Sequence, residues 1–294
     1  MEPSSEQIQV ERITSAQPGR KFLLFGAVHG NEPCGPLAIE RVLERIRSGE
    51  VALLGGELIA VPVANPGAYA EDARFLEDNL NRVFRKTELP ETYEARLANV
   101  LAPFIEETDI FLDIHSTSAP GPTCVFIDYP TPENIAFAGA LGMDYAITGW
   151  STVYANNPAG LDSYDTTRYT YEQGKTGVII ECGQHAEPTA AAIAERSILR
   201  ALAHFGMIDP LGTDTPRTKT RTVRMHTLQY KHAPGDVFSS RFEHLEPLVE
   251  GAVIATRESG EPLVAPRDAV MVMPKHTAQP GGEWFYLGTE EDPI

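Results

Sequence analysis

Cysteine is scarce in this chain. The three present, Cys34, Cys124 and Cys182, are far apart and odd in number, and no Cys-x-x-Cys occurs. A disulfide framework and a thiolate zinc cluster are therefore not expected, and buried reduced thiols in a cytoplasmic protein are. Positive charge is scarce as well. Against 41 acidic residues stand 24 basic ones, a formal charge of −17. A surface that negative repels phosphate backbones and anionic bilayers, so neither nucleic acid nor membrane is expected as a partner. No apolar run approaches the roughly 20 residues that span a bilayer. The start, Met1-Glu2-Pro3-Ser4-Ser5-Glu6, is acidic and polar, unlike the basic and then apolar opening of a signal peptide. Internal repeats and low-complexity tracts are absent.

What is there suffices for a substantial core. A chain of 294 residues, 42% of them hydrophobic, makes one large globular domain or two unequal ones. Lys21-Phe22-Leu23-Leu24-Phe25 reads as a buried strand, and Ile39, Val42, Leu43 and Ile46 follow at the spacing of an amphipathic helix. A strand over 58–63 should end at the turn Asn65-Pro66-Gly67. A polar stretch precedes a helix carrying Tyr93, Leu97, Val100, Leu101 and Phe104, which Pro103 should bend or end. Further apolar runs occupy 110–114, 124–127 and 176–180, with a helix N-cap at Thr131 and a long helix from Pro188. Residues 149–173 read as a long functional loop region. After a polar linker at 209–220 helical spacing disappears and short β-rich runs take over. The pattern predicts an α/β domain over 1–210 and a small all-β domain over 211–294.

Three apolar runs end in residues that carry chemistry. The first leads into Gly26-Ala27-Val28-His29-Gly30-Asn31-Glu32-Pro33, the second into His115, the third into Glu181. On one helical turn His29 and Glu32, at i and i+3, would share a face and could hold one ion. In open α/β sheets ligands sit outside the carboxyl ends of the strands, where such residues converge. Two histidines and a glutamate form a catalytic zinc set with a fourth position left for water. Glu181 would then be the base that water needs. Cys182, its neighbour on a strand, points to the opposite face and is not a ligand.

These segments resemble the succinylglutamate desuccinylase and aspartoacylase family, relatives of the zinc carboxypeptidases. The His29–Glu32 turn is similar to its zinc motif, and Asp113-Ile114-His115-Ser116-Thr117 to the segment of its third ligand. Leu80-Asn81-Arg82-Val83-Phe84 resembles its Asn-Arg substrate motif, Ile180-Glu181-Cys182-Gly183 its catalytic segment, and Tyr164-Asp165-Thr166-Thr167-Arg168 a substrate-binding stretch of the aspartoacylases. The match in order and spacing runs to about residue 185, and the segment between Arg168 and Glu181 is a few residues longer than in aspartoacylases. The resemblance implies a mixed sheet flanked by helices with a β-rich, barrel-like C-terminal domain, and one Zn²⁺ per chain on His29, Glu32 and His115.

The implied activity is hydrolysis of an N-acyl amino acid, a small-molecule substrate, to a carboxylic acid and a free amino acid. Glu181 would take a proton from water and deliver it to the departing amine, and Arg74 would face the oxyanion. Arg82, with Asn81, offers a planar fork for an α-carboxylate. Tyr164 and Arg168 would suit a second carboxylate of an acidic substrate. Tyr286 matches a family tyrosine that reaches the site, and a core aromatic reading stays equally open; no counterpart of the lysine that follows it in aspartoacylases is found. Ala265-Pro266 and Met271-Val272-Met273 are similar to biotinyl and lipoyl carrier barrels, but valine holds the attachment position and Lys275 lies two residues past Met273. The alternatives are a zinc carboxypeptidase acting on short peptides and a non-catalytic zinc-binding module. A homo-oligomer is left open.

Overall fold

The computed structural model describes residues 8–155, 163–210 and 220–293. Strands and helices alternate at first: β1 (Glu11–Thr14), β2 (Lys21–Gly26), α1 (Cys34–Arg47), β3 (Glu57–Val61), α2 (Pro66–Ala70), α3 (Leu80–Val83), α4 (Tyr93–Glu107) and β4 (Ile110–Thr117). Then come β5 (Cys124–Phe126), α5 (Pro132–Leu141), β6 (Tyr145–Thr148), α6 (Trp150–Ala155), α7 (Thr166–Glu172), β7 (Thr176–Gln184) and α8 (Ala190–His204). The remainder is strand: β8 (Arg221–Tyr230), β9 (Val237–Phe238), β10 (Glu246–Leu248), β11 (Val253–Thr256), β12 (Pro262–Val264), β13 (Ala269–Val272) and β14 (Glu283–Glu291).

The uninterrupted apolar runs become β3, β2, β4 and β7, which lie side by side and parallel. They lack polar alternation because both faces are covered. Phe22 and Leu24 of β2 join the core beneath α1, α5 and α8, while Leu23 and Phe25 join the one beneath α4. All four are fully buried, and each such side chain contributes about 1.5–3 kcal/mol. Because these strands run the same way, the residues following β2 and those at the ends of β4 and β7 meet along one edge.

Beyond β7 the sheet turns mixed. β5 is antiparallel to β7, β6 parallel to β5, and β8 parallel to β6. β14, β13 and β10 follow antiparallel, completing eleven strands among the described residues. The C-terminal strands thus divide. Four extend the large sheet, while β12, β11 and β9 form a three-stranded sheet of their own. The linker expected at 209–220 lies mostly outside the described residues.

Several local expectations are revised. Asn65-Pro66-Gly67 is no free turn: Asn65 caps α2, its Oδ1 accepting from Ala68 N at 3.2 Å. α4 runs through Pro103 to Glu107. An interior proline costs about 3 kcal/mol, but α4 buries Tyr93, Leu97, Leu101 and Ile105, which outweigh it at about 1.5–3 kcal/mol each. The region 149–173 holds α6 and α7 among its described residues. His115 and Glu181 lie inside β4 and β7 rather than after them, because the ladder continues through the pair His115↔Glu181.

Candidate metal centre and active-site cleft

The first site segment is a strained turn. After β2 the chain passes through Ala27 at φ +47°, a region that costs an L-residue about 1–3 kcal/mol. Hydrogen bonds from Ala64 N to Gly26 O (2.8 Å) and Asn65 N to Ala27 O (3.0 Å) hold it against the end of β3. Gly30 packs on the backbone of α2, and a Cβ there would lie 2.1 Å from the Ala68 carbonyl carbon. Glu32 N closes the turn onto His29 O at 3.3 Å, and α1 begins only at Cys34. The i, i+3 pair is therefore carried by a tight turn and not by a helical one.

His29, Glu32 and His115 converge, all of them buried. His29 Nδ1 lies 2.9 Å from Glu32 Oε1, His115 Nδ1 lies 2.9 Å from Glu32 Oε2, and the two Nδ1 atoms are 3.1 Å apart. Ligands on one tetrahedral zinc at 2.0–2.1 Å would be about 3.3 Å apart. The outer nitrogens decide what the inner ones can do. His29 Nε2 faces Asn79 Oδ1 at 3.0 Å, and that oxygen already accepts from Asn81 N, so Nε2 carries the hydrogen. His115 Nε2 faces Asp113 Oδ1 at 3.1 Å, and neither atom has another partner. This orientation is typical of metal-bound histidines, whose other nitrogen donates to a carbonyl or carboxylate. Two imidazole lone pairs and a carboxylate then face one point, which demands a positive charge.

The electrostatics agree. Burial, reinforced by Arg74, pulls His29 down to about 3, so it is neutral and ready to ligate. Burial opposes charge on His115, but Asp113 and Glu32 outweigh it and hold its pKa well above the ordinary value. A proton on His115 is one way of supplying the missing charge; a divalent cation reaches all three ligand atoms at once. Burial also opposes charge on Glu32, yet the two histidines keep it well below the usual carboxylate range.

Glu181 stands beside this centre, its Oε2 buried and without a hydrogen-bond partner. Burial, then the Glu32 charge, raises it to about 8. Arg74 donates to Glu32 Oε1 at 3.1 Å from the cleft wall. The cleft holds about 430 Å³ of space free of protein atoms, solvent at its mouth included. Its lining takes in His29, Arg74, Asn81, Arg82, His115 and Glu181, together with Phe126, Trp150, Ile179 and Met273.

Arg82 is anchored elaborately. Nε donates to Glu283 Oε1 (2.8 Å) and Tyr154 Oη (2.9 Å), NH2 to Glu283 Oε2 (3.2 Å), and NH1 to Asn81 O (2.8 Å). Its guanidinium carbon lies 4.6 Å from the Trp150 ring centroid. Of five N–H donors, two remain, one on each terminal nitrogen, which is the edge a carboxylate grips end-on. Asn81 Oδ1 accepts from Thr166 N at 3.0 Å, which docks the start of α7.

Three expected substrate residues stand elsewhere. Tyr164 and Arg168 are not in the cleft lining. Arg168 lies 4.2 Å from the Tyr164 ring centroid, with Nε to Glu172 Oε1 (3.3 Å) and NH1 to Ser163 O (3.2 Å). Tyr286 is fully buried behind the wall, its hydroxyl 2.9 Å from that of Tyr154. It backs the group that holds Arg82. Sequence reasoning missed Asp113, Asn79, Trp150, Tyr154 and Glu283. Only Asp113 left a signal, because residues two apart on a strand share a face and Asp-x-His is a ligand-orienting pair. Lys275, singled out as a would-be carrier lysine, is bonded to Glu283.

A mixed α/β sheet thus brings a His–Glu–His cluster and a glutamate with an unpartnered Oε2 to one edge. Residues 18–205 match the succinylglutamate desuccinylase/aspartoacylase catalytic domain, and the chain belongs to that family. It is 26% identical over 283 residues to an N-acyl-aromatic-L-amino acid amidohydrolase of Rattus norvegicus, covering 87% of this chain and 85% of that one. It is 29% identical over 206 residues to the N-alpha-acetyl-L-2,4-diaminobutyric acid deacetylase of Halomonas elongata, covering 65% and 56%. The crystal structure of a succinylglutamate desuccinylase from Vibrio cholerae aligns with TM-score 0.76 at 17% identity, over 97% of this chain and 88% of that one. No helix among the described residues is long and apolar enough to cross a membrane.

Proposed function

We propose that this protein is a zinc-dependent amidohydrolase of the cytoplasm that removes the acyl group from an N-acyl amino acid. The observation that carries the reading is the charge-seeking point among His29, Glu32 and His115 beside the unpaired Glu181. His29, Glu32 and His115 would hold the zinc, which when bound would supply Lewis acidity toward the amide carbonyl and water. Glu181 takes the proton of the attacking water and passes it to the departing amine, which cannot leave as an anion. Arg74 offers its guanidinium to the developing oxyanion. The two remaining N–H groups of Arg82 take the α-carboxylate, with Asn81 beside them. Tyr164 and Arg168 brace the start of α7 from outside the cleft. Residues 1–210 form the catalytic unit, and the β-rich segment from 211 supplies Met273 to the cleft wall and, behind it, Glu283 and Tyr286.

The purified protein is expected to hold about one zinc per chain. His29→Ala and His115→Ala should each lose it, read by metal analysis after dialysis. Undiminished zinc in both variants removes the assignment. Turnover of N-acetyl and N-succinyl amino acids with none of dipeptides separates a deacylase from a carboxypeptidase; the reverse pattern rejects the deacylase.

The raised Glu181 makes a second prediction, about stability without metal. Burial raises its pKa in the folded chain to about 8, from the ordinary 4.5. Between those limits the folded chain keeps a proton the unfolded chain has released, so stability falls as pH rises. Metal-free Glu181→Gln should lack this loss, so its Tm should gain on that of the metal-free parent from pH 5 to pH 8. Parallel Tm curves would contradict a buried, unpaired carboxylate.

A further inference from the structure

The names of the relatives span aromatic, diamino and succinyl-bearing amino acids, so family membership does not choose the side chain this cleft accepts. The charges on its wall do. Arg74 serves Glu32, Arg82 is tied to Glu283, and Lys275 is bonded to the same Glu283. Arg168 has its guanidinium engaged by Glu172, Ser163 and the Tyr164 ring, off the lining. With His29, His115 and Glu181 belonging to the metal centre, the charged groups left on the wall among the described residues are two carboxylates, Asp128 and Asp165.

Both carboxylates are fixed by the fold. Asp128 follows β5, and its Oδ2 accepts from Ser151 N at 2.8 Å, at the start of α6. Its Oδ1 is buried and has no hydrogen-bond partner. Asp165 caps α7, with Oδ1 accepting from Arg168 N and Thr167 Oγ1, each at 2.7 Å, and the residue is 4% exposed. Burial raises the pKa of each, and the Asp128 charge raises that of Asp165 further, while the Arg82 charge lowers it. Two acidic groups in one cleft, with Asp128 Oδ1 buried and unpaired, leave an acceptor that a substrate cation would satisfy. Phe126 lines the same space, and an aromatic wall suits an ammonium carried on a methylene stem. A substrate with a second carboxylate would meet repulsion there.

We propose that the cleft selects N-acyl amino acids whose side chain ends in an ammonium group, held by Asp128 and Asp165. The proposal rests on the deacylase reading and differs from the dicarboxylate preference that Arg168 suggested in the sequence.

The test is a set of kcat/KM values for Nα-acetyl-ornithine, its neutral isostere Nα-acetyl-norleucine, and N-acetylglutamate. The ornithine derivative should exceed the neutral one at least tenfold and the acidic one by more. Asp128→Asn and Asp165→Asn keep a side-chain oxygen for the helix caps but remove the charge. Each should collapse the ratio of ornithine to norleucine derivative to within about threefold. A wild-type preference for the neutral or acidic compound, or a ratio unchanged in both variants, overturns the proposal. Ligand-induced Tm shifts of Glu181→Gln give a readout free of turnover. If no acyl amino acid is cleaved, the deacylase reading falls, and the shifts still decide. A larger shift with Nα-acetyl-ornithine supports the ammonium site, and an equal or smaller one refutes it.

Discussion

Glu181→Gln is expected to keep its zinc and lose at least about 10²-fold in kcat, the lower range for removal of a general base. Glutamine fills nearly the same volume in a site that is 4% exposed, so packing and the three ligand residues are undisturbed. It cannot accept and return a proton, and both halves of amide hydrolysis require that. The size of the loss identifies the role. A group that only shaped the cleft would change KM as much as kcat, whereas a proton carrier acts in the transition state and leaves KM nearly unchanged. Steady-state kinetics and metal analysis on one preparation supply both readings. Turnover within a few-fold of the parent would assign the base to another residue.

The end of the sheet that gathers the candidate site was legible because its signals are local. Strands β2, β4 and β7 are buried on both faces, so they appear as unbroken apolar runs, and their ends can be read by eye. His29, Glu32, His115 and Glu181 each follow or end such a run. The error was one of extent. A run ends in sequence where polar chemistry begins, but a strand ends where pairing stops, and His115 and Glu181 are paired with each other.

What was not legible depends on contacts across long sequence separations or on local competition. Arg168 sits in a motif that points to the cleft, yet Glu172, one helical turn away, and the Ser163 carbonyl take up its donors. Glu283 is separated from Arg82 by 201 residues. No periodicity or spacing in the C-terminal segment marks Glu283 from its neighbours, and only the pairing of β14 with β8 and β13 brings it to the cleft. The division into two domains drawn from composition says nothing of such a contact.

That contact sets the second large effect. Arg82→Ala should lower kcat/KM about 10- to 100-fold for every substrate, mostly through KM. It removes a charged pair of hydrogen bonds to the α-carboxylate worth about 1.5–3 kcal/mol. Its effect on stability should be smaller than for a lone buried pair, because Glu283 retains Lys275. Glu283→Gln separates two explanations of the cluster. Arg82, Lys275 and Glu283 together carry one positive charge in excess, which a substrate carboxylate balances. If Glu283 merely reduced that charge, its removal would strengthen carboxylate binding and KM would fall. The geometry argues otherwise: Glu283 grips the Nε and NH2 side of the guanidinium at 2.8 and 3.2 Å and leaves the outer edge for the ligand. Without that grip the fork loses its orientation, and a misplaced bidentate donor costs more than an added charge returns. KM is therefore expected to rise in Glu283→Gln, with kcat changed less, and Glu283→Asp to recover part of the loss. A fall in KM would make Glu283 a charge moderator and not the residue that positions Arg82.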